Sequence, residues 1–278
     1  MNNVEPEFDI VIEPKKSSGH YWRDLWKFRG LFYFLSWRDL LVRYKQTVIG
    51  ISWSVIRPLL TLIVFTIVFG KIAKLPAEGI PYALLVCSAM IPWQFFANSF
   101  SEASNSLISN SNLLGKVYFP RLIVPASSII VSLVDFAISL VILFGLMIYY
   151  HFVPGWQIVL LPLFLLLGTI VSFGAGIFVA TLNVKYRDFR HIVPFIVQFG
   201  LYVSPVGFSS SIVPEKYRLI YSLNPMVGVI DGFRWCILGN ETTLFIPGLI
   251  LSIILSIVIM IIGIRYFRKM EKGFADFI

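Results

Sequence analysis

Apolar residues gather in six long stretches of the chain, at about 58–76, 80–100, 122–150, 156–182, 191–207 and 245–264, each flanked by polar or basic residues. A bilayer core of about 30 Å takes roughly 20 residues of helix to cross, so each stretch is predicted to be a membrane-spanning helix. The third is longer than needed and is expected to tilt or protrude. The fifth is short and stops at Ser204-Pro205, followed by Gly207, a combination that ends a helix. Between the fifth and sixth lies IVPEKYRLIYSLNPMVGVIDGFRWCI, too apolar for a free loop and too interrupted for a span. It reads as one or two short helices that enter the membrane and return on the same face, which requires cover from protein or a water-lined cavity. The expected fold class is an all-α polytopic membrane protein with six transmembrane helices. It forms a single domain over 1–278, with 1–57 as N-terminus and interface helix, 58–264 as the six-span region and 265–278 as tail.

Ahead of the first stretch, residues 36–58 read SWRDLLVRYKQTVIGISWSVIRP, with four basic residues and two tryptophans. On a helical wheel Trp37, Leu40, Leu41, Tyr44 and Val48 share a face, while Asp39, Arg43 and Gln46 lie away from it. This pattern predicts an amphipathic helix at headgroup level, its basic residues near lipid phosphate, with Gly50 letting the chain turn upward. It is either an anchor or a moving part at a doorway.

Composition agrees with the span count. At 57% hydrophobic and 14% charged residues, the chain carries more apolar surface than a soluble core of its size can bury. With six spans, 18 of its 23 Lys and Arg residues fall on the side of the N-terminus, which predicts that both termini are cytoplasmic and 208–244 external. The net charge of +8 is then explained by anionic inner-leaflet lipid and calls for no nucleic acid. The opening MNNVEPEFDIVIEPKK has no apolar run after a basic start, so no cleavable leader is expected.

The chemistry the chain lacks narrows the function. Gly115-Lys116 continues with Val117, and no GxxxxGK[ST] phosphate loop occurs. Metal spacing, HExxH and GxSxG are absent, and His20, His151 and His191 are scattered at expected membrane edges. Cys87 and Cys236 belong to no CxxC pair and read as small buried hydrophobes. No catalytic residue, metal or bound cofactor is expected. The one clearly intramembrane acid is Asp135, midway along the third stretch, which either lines a polar passage or hydrogen-bonds a neighbouring helix.

Four blocks taken together resemble the permease subunit of polysaccharide-exporting transporters of the ABC-2 type. They are SWRDLLVRYKQTVIGISWSVIRPLLTLIVFTIVFG, YRDFRHIVPFIVQFGLYVSPVGF, NPM followed by DGFR, and the closing FRKMEKGFADFI. The resemblance covers nearly the whole chain in order. It implies a homodimer in the cytoplasmic (inner) membrane that exports a lipid-linked polysaccharide such as O-antigen, teichoic acid or capsule. Energy would come from a separate nucleotide-binding ATPase subunit, which alone uses ATP and Mg. The resemblance further implies that the N-terminal amphipathic helix borders the substrate entrance, that the 101–121 loop holds the helix coupling to the ATPase, and that the re-entrant segment is an outer gate.

These implications select residues. Arg43, Lys45 and Arg57 cluster at the entry to the first span and are candidates for the substrate's pyrophosphate, with snorkelling to lipid headgroups as the competing reading. Among 25 Phe, 12 Tyr and 7 Trp, the set Trp53, Phe65, Trp93, Phe96, Tyr202 and Phe208 is expected to line a glycan channel. A short helix over 105–114, with Asn105, Leu107, Leu113 and Leu114, is expected to dock into the ATPase. Met226 and Val229 are expected at the outer gate, with Glu215, Lys216, Arg218, Asp231 and Arg234 at the outer water boundary. Two other classes stay open: an ABC-2 exporter of small hydrophobic molecules, and a membrane transferase acting on polyprenyl-phosphate sugars. The second needs clustered acids for a metal, and neither Asp188 beside Arg187 nor Asp231 near Arg234 makes such a cluster.

Overall fold

A computed structural model describes residues 18–45, 52–74, 76, 79–186, 188–239 and 242–274. They form eleven α-helices and no strand among the described residues: α1 (Ser18–Lys27), α2 (Arg29–Lys45), α3 (Ser52–Phe65), α4 (Tyr82–Ser109), α5 (Ser111–Leu114), α6 (Ile123–Tyr149), α7 (Leu161–Lys185), α8 (Phe189–Val203), α9 (Glu215–Tyr221), α10 (Pro225–Leu238) and α11 (Ile246–Met270). A π-helical turn, Thr66–Ile72, prolongs α3, and a 3-10 turn, Trp156–Leu160, leads into α7. The protein is an all-α polytopic membrane protein.

Among the described residues, five helical segments are long and apolar enough to cross a bilayer: Ser52–Ile72, Tyr82–Ser109, Ile123–Tyr149, Trp156–Lys185 and Ile246–Met270. They match five of the six expected stretches. The remaining stretch becomes α8, 15 residues long, which rises only about 22 Å and stops where Ser204-Pro205 breaks the helix. The first span begins six residues before its apolar run, so Trp53 and Arg57 stand on the spanning helix itself. Val48, Gln46 and Gly50 lie outside the described residues.

The helices enclose α4. Its spanning window is 83% buried, against 11% for the segment beginning at α3 and 22% for α11. α4 packs on α6, α7, α10, α8 and α3, while α11 packs mainly on α7 and α10. Lipid offers no hydrophobic drive between helices, so such packing depends on backbones approaching closely at small residues. Gly174 of α7 lies where a Cβ would come within 2.6 Å of the Met260 Cα, and Gly263 of α11 faces the Gly174 carbonyl in the same seam.

At the end that holds α1 and α2, a second apolar cluster joins Leu35, Leu107, Leu114, Phe119, Ile177, Phe267 and Phe274. Glu271 anchors this end by accepting from the Arg121 backbone N–H (2.9 Å) and Tyr21 Oη (3.2 Å). Burial raises its carboxyl above the ordinary glutamate range.

Three expectations change here. Leu107 and Leu114 are core residues, and 105–114 is no separate helix: α4 runs on to Ser109, breaks at Asn110, and α5 adds one turn. Met226 and Val229 are each 1% exposed, packed in the main core, so within the chain neither faces a passage. The cause is α10, which a Pro225 start and an Asn224 cap, accepting from the Met226 N–H at 3.1 Å, direct inward against α4 and α7. Arg234 accordingly leaves the water boundary. It is buried and donates to the Phe208 (2.7 Å) and Val206 (3.2 Å) carbonyls, tying α10 to the loop after α8.

Candidate functional site

Asp135 is the centre of the most polar region inside the bundle. It sits mid-way along α6, nearly buried, and its two oxygens take three donors. Arg43 Nη2 donates to Oδ2 at 2.6 Å, Tyr44 Oη to Oδ1 at 2.7 Å and Ser54 Oγ to Oδ1 at 2.9 Å. Arg43 and Tyr44 come from the last turn of α2, and Ser54 from the first turn of α3, so one carboxylate joins three helices. Arg43 also reaches Glu102 of α4 through Nη1 at 3.1 Å. An isolated carboxylate at membrane depth is expensive, and a guanidinium with two hydroxyls offsets that cost. Burial, with the bond and charge of Asp135 adding to it, pushes the Tyr44 phenol up to about 12, so it remains a donor at any physiological pH.

These groups border a cavity of about 700 Å³ between α2, α3, α4 and α6, within the size range of ligand sites. Hydroxyls and amides from Thr61, Gln94, Asn98, Ser128 and Ser139 line it beside the aromatic faces of Trp53, Phe95 and Phe136. Its ionic groups are Asp39, Arg43, Arg57, Glu102 and Asp135. Arg38 bonds Asp39 at 2.7 Å, and Arg43 is shared by Asp135 and Glu102. Arg57 is thus the cavity's cation with no carboxylate partner among the described residues; its guanidinium lies 5.8 Å from the Trp53 ring centroid.

The predicted residues divide accordingly. Arg43 and Arg57 share the cavity, whereas Lys45 ends α2 exposed and outside it. Of the six channel aromatics only Trp53 lines it. Trp93 and Phe96 are buried and packed on each other at 5.3 Å, Phe65 packs on Phe69 at 5.2 Å, and Phe208 lies 6.5 Å from Tyr221. Tyr202 is 64% exposed on α8. Asp135 proves to do both things expected of it in alternative, lining a polar space and bonding neighbouring helices. Asn105 donates to the Ser101 carbonyl of its own helix, and Leu113 packs at the edge of the second cluster.

α2 is turned differently from the wheel's implication for Tyr44 alone. Trp37 and Leu41 are exposed as a headgroup-level face requires, but Tyr44 bends with Arg43 into the cavity. The inward face is Leu35, Ser36, Asp39 and Arg43, at spacings of three and four. Ser54, Phe95 and Phe136 carry no assignment from the sequence, and Glu102 reads there only as a first-turn acid of the expected coupling helix. A signal existed: Phe95, Asn98 and Glu102 on α4, and Ser128, Asp135 and Ser139 on α6, are polar or aromatic positions at helical spacing within apolar runs.

Among the described residues no group of three His, Cys, Asp or Glu is placed to hold a metal ion. A second cavity, of about 280 Å³, lies by Ser111, Lys116, Arg121 and Phe274 at the end where α5 is found.

The family model described as ABC-2 type transporter matches residues 30–238. Over 243 residues the chain is 28% identical to the O-antigen export system permease protein RfbA of Klebsiella pneumoniae, covering 86% of this chain and 91% of that protein. The protein of the same name from Myxococcus xanthus is 27% identical over 256 residues, 91% of this chain and 97% of its own length. The capsule polysaccharide export inner-membrane protein CtrC of Neisseria meningitidis is 23% identical over 252 residues, 85% of this chain and 89% of that one.

Proposed function

Because the chain belongs to the ABC-2 type transporter family, we propose that it is the membrane-spanning subunit of an ATP-driven exporter carrying a lipid-linked polysaccharide of the O-antigen class across the cytoplasmic membrane. The observation that carries this reading is the cavity beside Asp135. An anionic lipid-linked glycan presents phosphate, sugar hydroxyls and sugar CH faces together, and the cavity presents a guanidinium with no carboxylate partner among the described residues, amides with hydroxyls, and aromatic rings. A purely apolar cargo would gain nothing from that polar wall. Relatives whose names refer to O-antigen or capsule polysaccharide export cover most of the chain.

The reading places the α1–α2 end in the cytoplasm, following the 18-to-5 bias of basic residues. The chain lacks a phosphate loop, so ATP and Mg belong to a separate ATPase subunit. That subunit contacts the 101–121 segment through its exposed part, Lys116, Val117 and Tyr118, since Leu107 and Leu114 are taken up by the core. A second copy of the chain completes the pathway around α3 and the cavity. Loss of the gene is expected to leave polysaccharide on its lipid carrier inside the cell and to strip it from the surface, with restoration by the wild-type chain. Unchanged surface polysaccharide in the deletion strain would sink the reading.

A further inference from the structure

We infer that Arg43, Tyr44 and Ser54 form a phosphate-binding site which the chain itself occupies, the Asp135 carboxylate standing where the anion of a phosphate-bearing lipid would sit. The identity of the natural ligand rests on the exporter reading; the site rests on geometry. Three donors from two helices converge on the two oxygens of one carboxylate at 2.6–2.9 Å. A guanidinium flanked by two hydroxyls is a donor set that suits a tetrahedral oxyanion as well as a planar one. The pyrophosphate of a lipid-linked glycan brings two charges and four terminal oxygens against the one charge and two oxygens of a carboxylate, so it is the stronger claimant once it reaches the donors. Access exists, because all four groups border the cavity of about 700 Å³, and Arg57 on the same wall has a guanidinium with no carboxylate partner among the described residues.

Self-occupation has a structural consequence. The bonds to Asp135 pin the end of α2 and the start of α3 to α6. A phosphate that takes these donors releases both helix ends from α6. Binding and opening are then one event, driven by the ligand's preference for the state in which Asp135 has let go. Displaced, Asp135 still borders a cavity lined by the side-chain amides of Gln94 and Asn98.

The test is binding of radiolabelled inorganic pyrophosphate to the full chain in nanodiscs of phosphatidylcholine, with a parallel set containing phosphatidic acid as competitor. Asp135→Asn removes the internal anion while keeping the side chain's shape, and is expected to tighten binding about tenfold or more. Glu102→Gln relieves Arg43 of its second carboxylate and should give a smaller gain. Asp39→Asn removes the same charge from the same cavity but from the partner of Arg38, so it should give none. Asp135→Asn combined with Arg43→Gln should lose the gain. Competition by phosphatidic acid assigns the site to lipid-borne phosphate, and its absence assigns it to the free ion; either supports the site. Equal or weaker binding in Asp135→Asn, or an equal gain in Asp39→Asn, overturns it. Should Asp135→Asn not fold, the contrast between Glu102→Gln and Asp39→Asn decides in the same way. A tighter Asp135→Asn in a strain whose deletion leaves surface polysaccharide intact would keep the site and discard the exporter.

Discussion

At the residue scale the most informative side chain outside the Asp135 knot is Arg57. It is exposed, it pairs with no carboxylate among the described residues, and it lies over Trp53, itself 44% exposed. A contact of that kind at an exposed site contributes only about 0.5–1 kcal/mol, so removing it leaves the fold intact. Binding an anion through the guanidinium is worth more, about 1.5–3 kcal/mol for a hydrogen bond to a charged group. Arg57→Ala is therefore expected to lower export about tenfold with unchanged membrane insertion. Arg57→Lys, which keeps the charge but loses the planar fork, should recover only part of it. Surface polysaccharide measured per copy of permease checks this; equal export by all three chains would take Arg57 out of the pathway. Arg43 behaves otherwise, because its removal strands Asp135 inside the bundle, and its phenotype mixes stability with transport.

At the element scale the segment from the last turn of α4 to the start of α6 divides into a buried and an exposed part. Leu107 and Leu114 help build the cluster that holds α2, α7 and α11 together, whereas Val117 and Tyr118 are 52% and 65% exposed beside Lys116. Exposed apolar side chains beyond the spans suit a protein partner better than water. Val117→Glu with Tyr118→Glu should abolish co-purification of the ATPase while the chain stays in the membrane, and Leu114→Glu should instead reduce the amount of folded permease. A Val117/Tyr118 variant that retains its ATPase would move the contact elsewhere. The same loop shows what the sequence could convey. Length and apolarity placed five spans to within a few residues at most ends, because lipid imposes a single requirement on every residue of a span. Ser101, Ser104 and Glu102 are residue types that can cap a helix and so point to a separate one over 105–114, yet α4 continues through them with its carbonyls taken by the next turn and by Asn105. For α10, Asn224-Pro225 reads in the sequence as an interruption and proves to be the helix's cap and first residue, while whether the helix faces a passage or the core depends on α4 and α7, which lie far away in sequence. Asp135 was visible as an anomaly, while its partner Arg43 stands 92 residues earlier on a helix whose basic residues read equally well as lipid contacts.

At the scale of the molecule, burial is lopsided. α4 is enclosed by its neighbours, while the segment Ser52–Ile72 is 11% buried and shows Leu60, Ile63, Val64 and Ile67 along one outer face. The cavity beside Asp135 is walled by this thinly packed helix on one side and by α2, which is not a span, on another. α8 adds a second apolar face through Phe195, Phe199 and Tyr202 at helical spacing. Lipid can cover either face, but a passage for a hydrated glycan cannot be closed by lipid, since its sugar hydroxyls would lose water without gaining partners. The cavity beside Asp135 supplies one wall of a passage, and the economical second wall is the same chain rotated about an axis normal to the membrane. The expected assembly is a homodimer carrying two ATPase subunits. Mass measured on the complex in native nanodiscs should correspond to two permease chains of 31.6 kDa with two partners. Pairs of cysteines introduced along the α3 face, at Ile63 and Ile67 in a background without Cys87 and Cys236, should cross-link between copies if that face meets its own mate. A complex with one permease would remove the second wall. A dimer that cross-links instead through Phe195 and Phe199 would keep the second copy and move the passage to α8.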